Sequence, residues 1–239
     1  MKRIFLMTAV FLFLISCTEQ SKTEKGLFQL NHIVEKKADL SDLLDSVEYI
    51  ALETTDESLL PGLSKLLCVK DNFYASAETE VMKFNSNGRF IGKLSMLGNG
   101  PQDYLSINDY DIVLRNNEEE IWIAHQRGIS CYSAEDFSFL RLIPLDISVL
   151  HFKYVSDGAI IIQTSGEYSF YLCNMEGVLR NEFLPNDPAN LSHSMMQFVD
   201  SDNGIFCILA GTDEAVHYNE KQDCLELLRY IEGVDNVLT

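Results

Sequence analysis

Three short stretches hold the side chains whose types and spacing could do chemistry. In LGNGPQDY (97–104) two glycines and a proline precede Asp103 and Tyr104. In NDYDI (108–112) Asp109 and Asp111 stand two residues apart, and WIAHQRG (122–128) brings Trp122, His125, Gln126 and Arg127 together. A glycine loop could cradle phosphate. Two carboxylates could act as acid and base or hold a cation, and an aromatic ring beside polar groups could hold a sugar or peptide.

Each of these readings has a plainer competitor. Phosphate-binding glycine loops open a helix, whose N-terminal amides face the anion. Here SINDYDIVL (106–114) alternates like a strand, and no Lys-Ser/Thr follows the glycines. Gly98 and Gly100 are therefore expected to take backbone conformations closed to other residues, with Pro101 stiffening the exit of a structural loop. Asp109 and Asp111 share one face of a strand, and a solvated strand edge is the expected setting. AHQRG (124–128) is expected as an exposed turn, and NNEEE (116–120) as a hairpin tip. The candidate ligand contacts are Asp103, Tyr104, Asp109, His125 and Arg127.

No catalytic, cofactor or metal constellation stands out. His32, His125, His151, His193 and His217 are scattered, and none lies in a metal or triad signature. Cys68, Cys131, Cys173, Cys207 and Cys224 form no C-x-x-C pair. Cys68 and Cys207 lie in apolar runs and are expected in the core. The odd number leaves at least one thiol free or joined to another chain.

The N-terminus supplies an address. Lys2 and Arg3 precede the apolar run Ile4–Ile15, which ends in Leu14-Ile15-Ser16-Cys17. The run is shorter than the ~20 residues that span a bilayer and fits a secretory signal. LISC resembles the bacterial lipobox, so residues 1–16 are expected to be removed and Cys17 lipidated. Residues 17–30 are expected as a tether, polar through TEQSKTEKG (18–26). The net charge of −18 becomes −20 without Lys2 and Arg3. Such a charge repels nucleic acid and anionic lipid.

The elements that must position these residues repeat. Four units overlay at 63–95, 108–145, 148–185 and 195–231, each with four short strands separated by Gly, Asn and Asp. An aromatic near the end of the third strand recurs as Phe84, Tyr132, Tyr171 and Tyr218, spaced 48, 39 and 47 residues apart. This period and strand count predict an all-β fold, a β-propeller with four-stranded blades, over residues 31–239. Second strands such as AIII (159–162) are expected to be buried on both sides. The turns SNSNG, RG, EG and DSDNG are expected to supply positive-φ positions.

Residues 46–112 resemble the six-bladed β-propeller lipoproteins of Bacteroidetes. The matching positions are Val47, Ile50, Leu52 and Glu53, then Phe84, Gly88 and Phe90. They continue with Gly98, Gly100, Pro101 and Tyr104, then Ile107, Asp109 and Tyr110. Gln102 and Asp103 replace the usual Gly-Glu. The resemblance implies six blades, with SVEYIALET (46–54) as a strand completing the last of them. Only four units are readable, and six blades of ~43 residues need ~260 residues. A chain incomplete at its C-terminus is expected, with a four-bladed ring as the competitor.

The resulting expectation is a lipid-anchored, extracytoplasmic scaffold in the cell envelope, on either face of the outer membrane. It binds an unidentified ligand or protein, with no cofactor and no nucleic acid. A propeller hydrolase or lyase acting on glycans or lactones is the rival, and a non-functional remnant of a longer gene is a third. The feature that separates scaffold from enzyme is a cluster of three or more His, Asp, Glu or Arg side chains pointing into the propeller axis.

Overall fold

In the computed structural model, residues 28–29, 44–77, 79–155, 158–186, 198–201, 204–209, 214–229 and 231–232 are described. The expected signal segment, Cys17 and most of the expected tether lie outside them. Residues 44–47 are irregular.

Turn chemistry sets the unit of this fold. In each blade the residue that ends or follows the third strand folds its side chain over the next hairpin. Asn85 Oδ1 accepts from the amides of Asn87 and Arg89, both at 3.0 Å. Asn174 Oδ1 does the same for Glu176 and Val178, and Asn219 Oδ1 for Lys221 and Gln222. Ser133 takes that place in the second unit, accepting from Glu135 and Asp136. These local bonds mimic a backbone turn and so fix where the fourth strand begins.

Four four-stranded antiparallel sheets result. Blade 1 consists of β2 (Lys65–Val69), β3 (Asn72–Ala77), β4 (Glu80–Asn85) and β5 (Phe90–Leu94). Blade 2 consists of β6 (Asp109–Arg115), β7 (Glu118–His125), β8 (Gly128–Ser133) and β9 (Phe139–Pro144). Blade 3 holds β10 (His151–Tyr154), β11 (Ile160–Gln163), β12 (Tyr168–Cys173) and β13 (Leu179–Pro185). Blade 4 holds β14 (Phe198–Ser201), β15 (Gly204–Ile208), β16 (Glu214–Asn219) and β17 (Cys224–Arg229). Apart from these, β1 (Phe28–Gln29) pairs in parallel with β18 (Ile231–Glu232), so paired backbone begins inside the span expected as tether.

The four sheets are arranged as a four-blade β-propeller, with no α-helix among the described residues. The first strand of each blade is innermost: β6 lies beside both β2 and β10. Second strands are buried on both faces, as in Ile121–His125 and Ile160–Gln163, while the outer β13 is largely exposed. In blades 1 to 3 the pairing of third and fourth strands shifts register at Lys83/Phe84, Cys131/Tyr132 and Leu172/Cys173. The recurring aromatic sits at or beside this bulge, which bends and twists the outer strand.

Three apolar interfaces join consecutive blades. Tyr74, Val81 and Leu94 meet Tyr110, Ile121 and Ile123 between blades 1 and 2. Trp122 and Ile129 meet Phe152, Ile160 and Ile162 between blades 2 and 3, where Trp122 stacks on Phe152 with centroids 6.4 Å apart. Phe170 and Leu172 meet Cys207, Val216 and Tyr218 between blades 3 and 4.

No apolar cluster among the described residues joins blade 4 to blade 1. The outer face of blade 1 (Ala75, Met82, Phe84) is instead covered by Leu52 and Leu60 from the segment before β2. SVEYIALET is therefore not a strand. Glu53 N donates to Gly88 O at 2.8 Å, and Phe90 N donates to Glu53 Oε2 at 2.9 Å, which lays the segment against the β4–β5 turn. Val47, Tyr49, Leu59 and Leu63 remain exposed there.

The positive-φ expectation holds at Gly88, Gly128, Gly177 and Gly204, all in hairpins, and Asn116 and Asn117 adopt the same region at the NNEEE tip. Of the two cysteines expected in the core, Cys207 is buried, but Cys68 lies on the outward side of β2 and is exposed. The five cysteines from Cys68 onward are free.

Phe152→Ala should cost about 3–5 kcal/mol, because Trp122 loses its stacking partner and a cavity opens between two blades. Leu140→Ala, at an exposed position, should stay within about 0.5 kcal/mol. Urea unfolding of the two variants checks the contrast.

Candidate functional site

The alternation of the four innermost strands builds the site. Side chains two apart point the same way: Lys65 and Leu67 on β2, Asp109 and Asp111 on β6, His151 and Lys153 on β10, Phe198 and Asp200 on β14. Where the strands run side by side, these positions meet at the axis. Lys65 Nζ lies 2.8 Å from Asp109 Oδ1, and His151 Nδ1 lies 3.5 Å from Asp109 Oδ2. One step further along the strands, Lys153 Nζ sits 3.1 Å from Asp111 Oδ2 and 2.9 Å from Asp200 Oδ2. Six ionisable groups from four blades thus converge.

Asp109 ties three blades together. Its carboxylate takes Lys65 from blade 1, the amide of Phe152 from blade 3 at 3.2 Å, and the amide of Tyr110 at 2.9 Å. It is 7% exposed, and Asp111 is 6% exposed. The expected solvated edge is wrong for both, because the inner strands press against neighbouring blades. Burial works to raise the Asp109 carboxyl, but the hydrogen bond from His151 and the Lys65 ammonium outweigh it and hold the group below the ordinary carboxylate range. At Asp111 burial wins over the attraction of Lys153 and pushes the carboxyl up. Burial alone would lower Lys153, yet Asp111 and Asp200 raise it.

A cavity of about 120 Å³ opens beside the outer member of this cluster, lined by Ser64, Lys65, Ser76, Asn108, Asp109 and His151 among others. Lys65 and His151 are its accessible ionisable members, with side chains 27% and 28% exposed. Among the described residues no group of three His, Cys, Asp or Glu is placed to hold a metal ion.

Of the five residues expected to touch ligand, Asp109 alone lines this cavity. The other four form a latch that pins the loop between blades 1 and 2. Tyr104 is fully buried, and its hydroxyl donates to Thr79 O at 2.9 Å. Arg127 donates through Nη2 to Asp103 O, and Tyr132 OH donates to Gln102 O at 2.7 Å. His125, expected at an exposed turn, is wholly buried at 2.8 Å from Ser130 Oγ; burial and the nearby Arg127 charge push it down to about 4. It is a neutral structural ring at physiological pH.

The loop glycines are needed for a different reason from the one expected. Neither Gly98 nor Gly100 has a positive φ. Instead Asp103 folds back, accepting from Gly100 N at 2.8 Å, and its Oδ2 would stand 2.3 Å from a Cβ at 98 and 2.7 Å from one at 100. The carboxylate occupies the space of the missing side chains.

Against known proteins, the model of the family described as Domain of unknown function (DUF4934) matches residues 27–222. The chain belongs to this family. No protein of curated function matches it. Among solved structures it is similar to a Bacteroides fragilis protein described as a candidate exported protein, at TM-score 0.65 and 16% identity, covering 78% of this chain and 55% of that one. It is also similar to a member of the DUF4221 family from Bacteroides vulgatus, at TM-score 0.52 and 10% identity, covering 77% of this chain and 62% of that one. At these identities the likeness is one of fold alone. The DUF4934 chain spans less than two thirds of the length of either protein.

Lys65, His151, Lys153 and Asp200 of the DUF4934 axis are not singled out by any motif. Aligning the first strands of the four repeats would have exposed them, because an ionisable residue occupies at least one of the two axial positions in every unit.

Two outcomes test this geometry. Gly100→Ala should destabilise by about 1–2 kcal/mol, and most of that cost should vanish in an Asp103→Ala background, read as a double-mutant cycle in urea. Asp109 is ionised in the folded protein at pH values where the unfolded chain already binds a proton. Its contribution is complete above the ordinary carboxylate range and fades as pH falls through the lowered folded value. Asp109→Asn should therefore lose about 3–5 kcal/mol at pH 7, and the gap to the unaltered protein should narrow in acid unfolding measurements.

Proposed function

We propose that this chain is a lipid-anchored, extracytoplasmic β-propeller scaffold, held at the outer membrane through Cys17. It binds a ligand or protein partner at the end of its axis. The observation that carries this reading is the meeting of Lys65, Asp109 and His151 around a small cavity where three inner strands begin. The LISC sequence supports the anchor, and the exported description of the B. fragilis protein supports the location.

Asp109, Asp111, His151 and Asp200 meet the count that would mark a propeller enzyme, but the chemistry of the cluster favours binding. A general acid or base needs a proton to give or a lone pair to use. Asp109 has its oxygens filled by Lys65, Tyr110 N and Phe152 N, and Lys153 is clasped between two carboxylates. Groups paired in this way hold blades together and shape a surface.

Cys17→Ala should move the chain from the membrane pellet to the soluble fraction and abolish incorporation of labelled palmitate; retained label would overturn the anchor. For the binding site, thermal unfolding of the full chain against panels of peptides and glycans should find a ligand that raises Tm. The His151→Ala variant should lose that shift, and an equal shift in both proteins would place binding elsewhere.

A further inference from the structure

We propose that the axial cavity is an oxyanion site, which takes the carboxylate or phosphate group of a small ligand between the Lys65 ammonium and the His151 ring. This rests on the axial binding reading above and adds the chemistry of the ligand.

The argument is a count of protons and lone pairs. An ammonium has three protons. Lys65 donates one to Asp109 Oδ1 at 2.8 Å and one to Tyr110 O at 2.7 Å, which leaves the third for the cavity. Asn108 donates one amide proton to Val149 O at 2.9 Å and keeps the other. Ser64 adds an exposed hydroxyl, and His151 Nε2 becomes a donor when its ring is protonated.

Acceptors are scarcer. Asp109, the carboxylate among the described lining residues, is filled by Lys65, Tyr110 N and Phe152 N, with His151 Nδ1 alongside. A cation entering here finds no open carboxylate, whereas an anion finds unused N–H and O–H groups. At about 120 Å³ the space matches roughly four waters. That accommodates one carboxylate or phosphate group, with the rest of the ligand outside. The chain's net charge of −18 opposes anions from a distance, but screening confines that field to ~8–10 Å at physiological salt.

The test follows the His151 ring by NMR in the full chain, titrated with sodium acetate and with sodium phosphate at constant ionic strength. A saturable shift with a millimolar midpoint is expected, and the anion that saturates first distinguishes a carboxylate ligand from a phosphate one. Lys65→Met should weaken binding by about tenfold or more, the loss of one charge-assisted hydrogen bond. Because that change strands Asp109, Lys65→Met/Asp109→Asn is measured beside it; this pair removes both charges and should also fail to bind while staying folded. Binding by either folded variant as tight as that of the unaltered protein overturns the proposal. So does a non-saturating shift equal to that of chloride. If a neutral sugar moves the His151 signal and neither anion does, the oxyanion assignment falls while axial binding stands. If no ligand of any class moves it, both fall.

Discussion

The carboxylate of Asp109 is the knot of this molecule. Each blade buries its broad faces on its neighbours through apolar contact, which is strong but carries little directional information. At the axis, ion pairs and hydrogen bonds between the inner strands fix their relative height. Asp109 reaches an ammonium on blade 1 and an amide on blade 3 while standing on blade 2. Moving any of these blades by one residue along its strand would place a non-complementary side chain opposite a buried charge, an error costing several kcal/mol.

Further from the axis blades 1 and 2 are joined again, by different chemistry. Tyr110 OH donates to Tyr74 O at 2.7 Å, and Tyr74 OH donates to Glu119 Oε2 at 2.6 Å. Lys83 reaches Ala134 O at 3.0 Å and lies near Glu119. Glu119 and Glu120, within the stretch expected as a hairpin tip, are therefore internal, because the turn is Asn116–Asn117 and β7 begins at Glu118. Glu120 receives Trp122 Nε1 at 2.7 Å and pairs with Arg141. Polar bonds at the axis and at the periphery bracket an apolar interface, so that adjoining blades are held in register at both margins.

The fold was legible because its signals are local and repeated. Turn residues, the four-strand period and the recurring Phe84/Tyr132/Tyr171/Tyr218 each depend on a few neighbours in sequence, and together they specify blades. The axial cluster was not legible, because it exists only when residues some forty apart are laid side by side. Lys65 alone is an ordinary strand-end lysine. The strand expected at SVEYIALET failed for a related reason: its apolar alternation suits any exposed blade face, and Leu52 found the one made by Ala75, Met82 and Phe84. His125 looked accessible because it neighbours Arg127 and Gly128, yet it ends a strand whose side chains are buried to the last residue.

The unequal covering of the blades has a dynamic consequence. Blades 2 and 3 are each clasped on two sides by large apolar contacts, blade 4 has such a contact with blade 3, and blade 1 shares its outer side with an irregular segment. Among the described residues, opening blade 4 uncovers one interface with another blade and opening blade 1 one such interface and an irregular segment, whereas opening a middle blade uncovers two. Amide protons of β7 and β11 therefore exchange with solvent last, and those of the flanking sheets first, which makes the middle of the array the rigid frame against which its ends breathe.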